Sequence, residues 1–158
     1  MTGVGPRLHA MLKGLHPLLT ADLLHAMAAM GHGDALAIVD ANFPAMSLGP
    51  RVIPLPGASS PEALAAVLTV FPLDTFEQPA AFTMQVVGEP DAVPEAVADF
   101  AGVFSDRGLA EFEIGSLERY AFYERSRAAY ALVHTGELRP YGNILLVKGV
   151  VNSYQPLA

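Results

Sequence analysis

Among the side chains of this sequence, a histidine flanked by glycines is the one best suited to acid/base chemistry. His32 stands between Gly31 and Gly33, and glycine on either side lets the backbone turn tightly and expose the imidazole. Histidine can give and take a proton near neutral pH without special perturbation. The same pattern also fits a helix C-cap followed by a solvated histidine, so the spacing alone leaves both interpretations open.

A continuous apolar run follows this histidine and ends at an aspartate. Residues 35–39 are typical of a strand buried in a parallel sheet, and Asp40 comes directly after them. Ligands of open α/β sheets bind outside the carboxyl ends of the strands, so Asp40 is a candidate ligand-binding carboxylate, with capping of the next turn as the alternative. Asp34 is interpreted as a turn or cap residue rather than as a catalyst. His25 and His32 lack the close ligand pair of a metal site, and we expect no metal.

A second group of polar and aromatic residues lies towards the carboxyl end of the chain. Arg119, Tyr141 and Asn143 supply fixed donors and acceptors of the kind that sugar hydroxyls require. Aromatic rings nearby can cover the apolar face of a sugar. We assign Phe122 to the core, whereas the sequence leaves Tyr123 open between the core and a binding surface.

The hydrophobic pattern places these residues on alternating helices and strands. Thr20 is predicted to cap a helix that Gly31 ends. Ser60 and Pro61 are predicted to begin the next helix as its cap and its first helical residue. The alternation predicts an α/β fold in which helices cover both faces of a sheet. The second helix is predicted to end at 71, further helices to span 94–107 and 120–127, and strands to span 35–39, 51–55, 81–87, 112–114, 130–134 and 144–147.

The composition fits one domain that assembles with copies of itself. The 158 residues suit a single domain, and we predict an irregular extension over 1–10 followed by one domain over 11–158. Apolar residues make up 52% of the chain and charged residues only 16%, against about 25% charged in typical domains. So much apolar surface predicts an obligate homo-oligomer, although a general bias towards alanine would produce the same count.

Charge and hydropathy argue against several classes of partner. Nine Lys and Arg against sixteen Asp and Glu give a net charge of −7, whereas binding to nucleic acid or to an anionic membrane needs clustered basic residues. The sequence contains no cysteine, which excludes disulfides and thiolate zinc sites. A signal-peptide core and a run of roughly 20 apolar residues are also missing. We therefore expect no membrane span and a cytoplasmic location.

Several short segments resemble one known family in sequence and in order. The chain contains MGHGD, DANFP, RYAFYER, TGE and YGNILLVKGV, which recur in that order in the fucose mutarotases of the RbsD/FucU family. The resemblance covers about residues 11–150. It implies a single three-layer α/β/α domain with a mixed, largely parallel central sheet. It also implies homo-oligomers, often decameric rings, and the interconversion of the anomers of a free sugar.

The resemblance also assigns roles to individual residues. His32 corresponds to the family's proton-donating histidine and Asp40 to its sugar-binding aspartate, which would fix the orientation of His32 or hold a hydroxyl. Mutarotation opens the sugar ring to the aldehyde and recloses it on the other face, so it needs no redox step and we expect no cofactor. The other substrate-binding positions implied by the resemblance are Arg119, Tyr141, Gly142 and Asn143.

Residues that differ between the branches of this family bear on the substrate. Ribose-type pyranases place histidine where this chain has Arg119 and read Gly-His-Thr-Asp at the first motif, so L-fucose is the expected monosaccharide. Pyranose–furanose interconversion of ribose is the alternative. Bacterial fucose-type members often carry histidines at the positions of Asn42 and Met46, whose roles stay open. A non-catalytic sugar-binding accessory protein would share every binding residue and differ only in whether His32 transfers a proton.

Overall fold

The computed structural model describes residues 11–154 and residue 156, so the predicted extension over 1–10 lies outside the described residues. Six strands alternate with five helices in this part of the chain. The elements are α1 (Ala21–Ala29), β1 (Ala35–Val39), α2 (Ala45–Leu48), β2 (Arg51–Leu55), α3 (Ser60–Val67), β3 (Ala81–Met84), α4 (Glu95–Asp106), β4 (Ile114–Leu117), α5 (Arg119–Arg127), β5 (Ala131–Thr135) and β6 (Ile144–Val147).

The strands form one mixed sheet in the order β2-β5-β1-β6-β3-β4. Strand β5 pairs in parallel with β1 and β2, and β3 pairs in parallel with β4. Strand β6 runs antiparallel to both of its neighbours, β1 and β3. At the centre of the sheet, Leu36 lies between Ala131 and Leu146. The predicted mixed, largely parallel sheet is confirmed.

Successive side chains of β1 point to opposite faces of the sheet and enter two separate cores. Leu36 and Ile38 belong to the core that also includes residues of α1, α3 and α4. Ala37 and Val39 belong to the core formed with α2 and α5, where Phe122 is fully buried as predicted. Because both faces of β1 are covered, its run of apolar residues is unbroken. The sheet is the middle layer of an α/β/α domain.

One edge of the sheet collects the chain segments that carry most of the candidate site residues. Strands β1 and β5 end at this edge, and β6 begins there because it runs in the opposite direction. Asp40 follows β1, Glu137 comes shortly after β5, and Asn143 immediately precedes β6. Strands β3 and β4 also end at this edge, and Arg119 begins α5 just beyond β4.

Helix α3 is capped one residue earlier than predicted. Ser59 is the N-cap: its hydroxyl accepts a hydrogen bond from Glu62 N (3.2 Å), and the Glu62 carboxylate accepts one from Ser59 N (3.0 Å). Ser60 is fully buried and donates instead to Glu137. The helix ends at Val67, and turns rather than helix continue to residue 70.

Three short elements differ from the prediction for local reasons. Strand β3 ends at Met84 rather than at 87, because the chain turns back at Val86, whose carbonyl accepts a hydrogen bond from Glu89 N (3.0 Å). Strand β4 spans Ile114–Leu117 rather than 112–114, because its pairing with β3 begins where Ala81 lies opposite Ile114 and continues to Leu117. Helix α2 was not predicted, because four residues are too few to show helical periodicity.

The described helices are short. None of those within residues 11–154 is both long and apolar enough to cross a membrane.

Candidate active site

Asp40 and Asn143 form the base of a cleft at the carboxyl edge of β1. The Asp40 backbone N–H donates to Asn143 Oδ1 at 2.8 Å, and Asn42 N donates to Asp40 Oδ1 at 3.0 Å. Asn143 uses its oxygen to accept from Asp40 N, and one N–H of its amide interacts with the Asp40 carboxylate, so the second N–H remains available as a donor. Burial raises the pKa of the Asp40 carboxyl above its usual value, and hydrogen bonds from Asn42 and Asn143 oppose that rise.

Tyr141 has a strained backbone and a fixed hydroxyl. Its φ angle is 60°, a left-handed value that is uncommon for a bulky residue and is found more often at functional sites. The Tyr141 hydroxyl accepts a hydrogen bond from Val87 N at 3.2 Å, which leaves its own proton free to donate to a ligand. The next residue, Gly142, is packed tightly, since a Cβ there would come within 2.6 Å of Glu137 Cγ.

Arg119 enters the cleft from the first turn of α5. A cation at a helix N-terminus is disfavoured by the helix dipole, so helix stability does not explain arginine here. Its Nη2 donates to the Tyr120 hydroxyl at 2.9 Å, and its guanidinium lies 4.6 Å from the centre of the Tyr120 ring. Its Nε is buried and has no hydrogen-bond partner among the described residues; such donors are rare in folded proteins, and this one can donate to a ligand.

These residues surround a cavity of about 340 Å³, within the size range of small-molecule sites. We call this cavity the cleft. Tyr123, which the sequence left open, lines it and packs edge-on against Phe43 at 5.5 Å between ring centroids. Met46 is exposed and does not line the cleft. The lining residues are Asp40, Asn42, Phe43, Pro44, Met84, Arg119, Tyr123, Leu138, Pro140, Tyr141 and Asn143.

A partly buried ion pair supports the loop that carries Tyr141 and Asn143. Glu137 Oε1 accepts hydrogen bonds from the backbone N and from Nε of Arg139, both at 3.0 Å. The Arg139 guanidinium lowers the pKa of Glu137 to about 2. The Glu137 carbonyl also accepts from Ala41 N at 2.9 Å, which ties this loop to the segment after Asp40. Glu137 belongs to the TGE motif, and nothing in the residues around it predicts this structural role.

His32 lies beyond the amino end of β1, whereas the cleft lies beyond its carboxyl end. It precedes β1 whereas Asp40 follows it, and a five-residue strand spans roughly 17 Å. His32 Nε2 is 3.0 Å from Asp74 Oδ1. Within one chain, the expectation that Asp40 fixes the orientation of His32 is therefore wrong, and Asp74 takes that position. His32 lines a second cavity of about 350 Å³, the histidine pocket, with Gly33, Asp74, Phe76, Glu77, Gln78, Pro79, Phe82, Arg125 and Val147.

The described residues contain no cluster of three or more His, Asp and Glu side chains that could hold a metal ion. The residues lining the two cavities offer hydrogen-bonding and acid/base groups. The cleft provides a buried carboxylate, an amide, a phenol and a guanidinium, which together can hold several hydroxyl groups of one small polar ligand. The histidine pocket provides a half-exposed imidazole that can exchange a proton.

Comparison with known proteins identifies the family of this chain. The profile of the RbsD / FucU transport protein family matches residues 13–151, nearly the whole of the described chain. The chain belongs to this family. The cleft and the histidine pocket both lie within the matched residues, and so do all six residues to which the resemblance assigned roles.

Three solved structures show how this family member relates to its relatives. The fucose mutarotase of Streptococcus pneumoniae in complex with L-fucose is 38% identical, with a TM-score of 0.83 over 89% of this chain and 99% of that one. FucU from Bifidobacterium longum is 43% identical, with a TM-score of 0.78 over 88% and 99%. RbsD of Bacillus subtilis, complexed with D-ribose, is 25% identical, with a TM-score of 0.69 over 89% and 99%. The chain is thus more similar to the two fucose-type proteins.

Proposed function

We propose that this protein is an isomerase, a mutarotase that interconverts the α and β anomers of a free monosaccharide, with L-fucose as the preferred sugar. The observation that carries the proposal is the convergence of Asp40, Arg119, Tyr141 and Asn143 on one cleft. A relative 38% identical to this chain is described as a fucose mutarotase in complex with L-fucose, which supports the choice of reaction and of sugar.

In this proposal the cleft holds the hydroxyl groups of the sugar. Asp40 accepts from one or two hydroxyls, while Tyr141 and the Asn143 amide donate to others. Arg119 donates from a planar charged fork that can reach two oxygens at once. The rings of Phe43 and Tyr123 offer an apolar surface beside these polar groups. Gly142 contributes through its lack of a side chain, which lets the loop pack against Glu137.

His32 is the acid/base in the proposed reaction. Its imidazolium gives a proton to the ring oxygen as the bond from C1 to that oxygen breaks, with the bonding pair staying on the oxygen. The neutral imidazole then takes the proton of the anomeric hydroxyl as the aldehyde forms. Rotation about C1–C2 followed by the reverse steps closes the ring on the other face. The histidine ends each cycle unchanged, and a positioned acid/base typically contributes about 10²–10⁴ in rate.

This mechanism requires two copies of the chain to meet. His32 and the cleft lie at opposite edges of one sheet, so the histidine of one copy would serve the cleft of another in a homo-oligomer. Large exposed apolar side chains lie beside both cavities: Phe76 (71% exposed) contacts His32, and Leu138 (80% exposed) lies at the cleft. Such exposure at both places supports a subunit contact. The family resemblance points to a decameric ring.

Two other functions make different predictions in one experiment. A non-catalytic sugar-binding protein would bind L-fucose in the cleft without accelerating anomer exchange, and a ribose-type enzyme would act faster on D-ribose. Saturation transfer between the anomeric protons of each sugar, with and without protein, separates the three. Faster exchange of L-fucose than of D-ribose supports the proposal, and binding without exchange would refute it.

A further inference from the structure

The side chain of His32 is held by a carboxylate from a distant part of the chain. Asp74 Oδ1 lies 3.0 Å from His32 Nε2, although 42 residues separate the two in sequence. The imidazole side chain is 45% exposed, whereas the Asp74 side chain is only 5% exposed. Nε2 is thus held by the protein, while almost half of the imidazole side chain stays exposed in the histidine pocket.

Asp74 is itself fixed by its surroundings. Phe76 N donates to Asp74 Oδ1 at 3.1 Å and Glu77 N donates to Asp74 Oδ2 at 3.3 Å. The Asp74 backbone N–H donates to the carbonyl of Val147 in β6 at 3.0 Å, and Gln78 Nε2 donates to the Asp74 carbonyl at 2.8 Å. With its backbone and both carboxylate oxygens engaged, this side chain has no freedom to swing away from the histidine.

The rest of the histidine pocket restricts the ring without competing for its nitrogens. The Phe76 ring packs against the imidazole at 4.8 Å between centroids. His32 Nδ1 makes no hydrogen bond to any described residue. The other charged groups lining the pocket are Glu77 and Arg125. The Arg125 guanidinium lies 4.3 Å from the centre of the Phe82 ring, and neither charged group hydrogen-bonds to the imidazole.

We propose that Asp74 is a positioning residue that keeps the neutral imidazole of His32 protonated at Nε2, so that Nδ1 exchanges protons with the sugar. An ionised carboxylate can only accept a hydrogen bond, so the facing nitrogen must donate, and the lone pair of the neutral ring then lies on Nδ1. Burial raises the pKa of Asp74, but the Phe76 amide and His32 outweigh it and hold that pKa below its usual value, which keeps the carboxylate ionised.

This inference rests on the proposed mutarotase function and specifies its proton transfers. Nδ1–H of the imidazolium protonates the ring oxygen, and the same Nδ1 later takes the proton of the anomeric hydroxyl. The other proton stays on Nε2 throughout the reaction and remains hydrogen-bonded to Asp74. Asp74 therefore never touches the sugar, and its removal should lower kcat with little change in KM.

Asp74→Asn tests the proposal. The asparagine amide carries no charge. Its NH₂ group also takes the place of one of the two Asp74 oxygens, each of which accepts a backbone N–H group, from Phe76 or from Glu77. We expect kcat for L-fucose exchange to fall on the order of 10–10²-fold, less than the full contribution of an acid/base group, with KM within about twofold. Two-bond ¹H–¹⁵N correlation spectra at mildly alkaline pH should show wild-type His32 protonated at Nε2 and a changed tautomer population in Asp74→Asn. His32→Gln identifies its signals among the five histidines.

Asp91→Asn is the matched control, because it makes the same change at an exposed aspartate that lines neither the cleft nor the histidine pocket; its kcat and His32 tautomer should equal those of the wild type. Wild-type His32 protonated at Nδ1, or wild-type kcat in Asp74→Asn, overturns the proposal. Lost activity with an unchanged tautomer indicates a structural role and overturns it too. Failure of the proposed function gives a different result: the wild type then does not accelerate anomer exchange. Comparison of the His32 tautomer in the wild type and in Asp74→Asn still shows whether Asp74 controls it. If Asp74→Asn does not fold, the wild-type spectrum alone tests the proposal, because it shows whether Nε2 or Nδ1 of His32 carries the proton.

Discussion

The backbone N–H of Asp40 donates to the side-chain oxygen of Asn143 at 2.8 Å, across 103 residues of sequence. This bond joins the end of β1 to the start of β6 and orients the Asn143 amide. It exists because β6 runs antiparallel to β1, so that the two strands bring these residues to one edge of the sheet. The cleft depends on this topology.

Asn143→Asp should weaken L-fucose binding. The new carboxylate can still accept from Asp40 N, but it loses the amide donor and adds a second negative charge beside Asp40. We expect an increase in KM equivalent to about 1–3 kcal/mol, growing as pH rises, because the two carboxylates are then both ionised. Saturation transfer at several L-fucose concentrations and two pH values measures it. Asn152→Asp, which adds the same charge at an exposed site, should leave KM unchanged.

Glu137→Gln should destabilise the protein at neutral pH and not at acid pH. The Arg139 guanidinium lowers the pKa of Glu137 to about 2 in the folded state from an ordinary 4.5. A depressed pKa contributes stability above the unfolded value, and that stability is lost as pH falls from about 5 towards 2. We expect a loss of about 3 kcal/mol at pH near 7, measured by urea unfolding.

The same measurement near pH 2 should give nearly equal stabilities for the wild type and Glu137→Gln. Glu111→Gln, at an exposed residue, is the control and should change the unfolding free energy little at either pH. A pH-independent difference between the wild type and Glu137→Gln would show that the ion pair with Arg139 is not the source of the stability.

Arg119→His tests the choice of sugar. Arginine can reach several oxygens of a pyranose with its planar charged fork, whereas histidine is shorter and offers fewer donors. We expect the variant to lose roughly 1.5–3 kcal/mol of transition-state stabilisation with L-fucose and less with D-ribose. Arg127→His lies on the same helix, away from the cleft, and should leave both rates unchanged. If Arg119→His depresses both sugars equally, Arg119 does not select the substrate.

The sequence predicted those parts of the molecule whose signals are local. The bounds of β1, β2 and β6 were predicted correctly, because each strand is a compact β-rich or apolar run between turn residues. Asp40, Arg119, Tyr141 and Asn143 were predicted as site residues, and the fold brings all four to one cleft.

The contacts that the sequence could not predict join distant segments. Asp74 lies in an irregular stretch without hydrophobic periodicity, and only the fold brings it to His32. Glu137 has no pattern that distinguishes it from a solvated glutamate, and its role arises from burial beside Ser60 and Arg139. His32 and the cleft are separated because β1 runs from one to the other. Matching single residues to a family gives no information on this distance.

The assembly should be large. The exposed apolar side chains beside both cavities and the low charged fraction of 16% predict an obligate homo-oligomer. Light scattering on a sizing column should give a mass several times that of the 16.7 kDa chain at micromolar concentration. A monodisperse monomer that still accelerates anomer exchange would contradict the proposal that two copies of the chain together form the active site.

The most direct test of the account is complementation between two inactive variants. His32→Gln keeps the cleft intact and Asp40→Asn keeps the histidine intact, and each alone should lose most L-fucose exchange. Co-expression with different tags and purification through both yields mixed oligomers, in which about a quarter of the sites join an unaltered histidine to an unaltered cleft if copies assemble at random.

Saturation transfer on L-fucose should then show recovery towards about a quarter of the wild-type rate in the mixed oligomers. The two variants mixed after separate assembly should show none, and neither should oligomers in which every chain carries both substitutions. Mixed oligomers no more active than either parent, or a folded His32→Gln protein with wild-type exchange, would contradict the claim that His32 of one copy acts on a sugar held in the cleft of another.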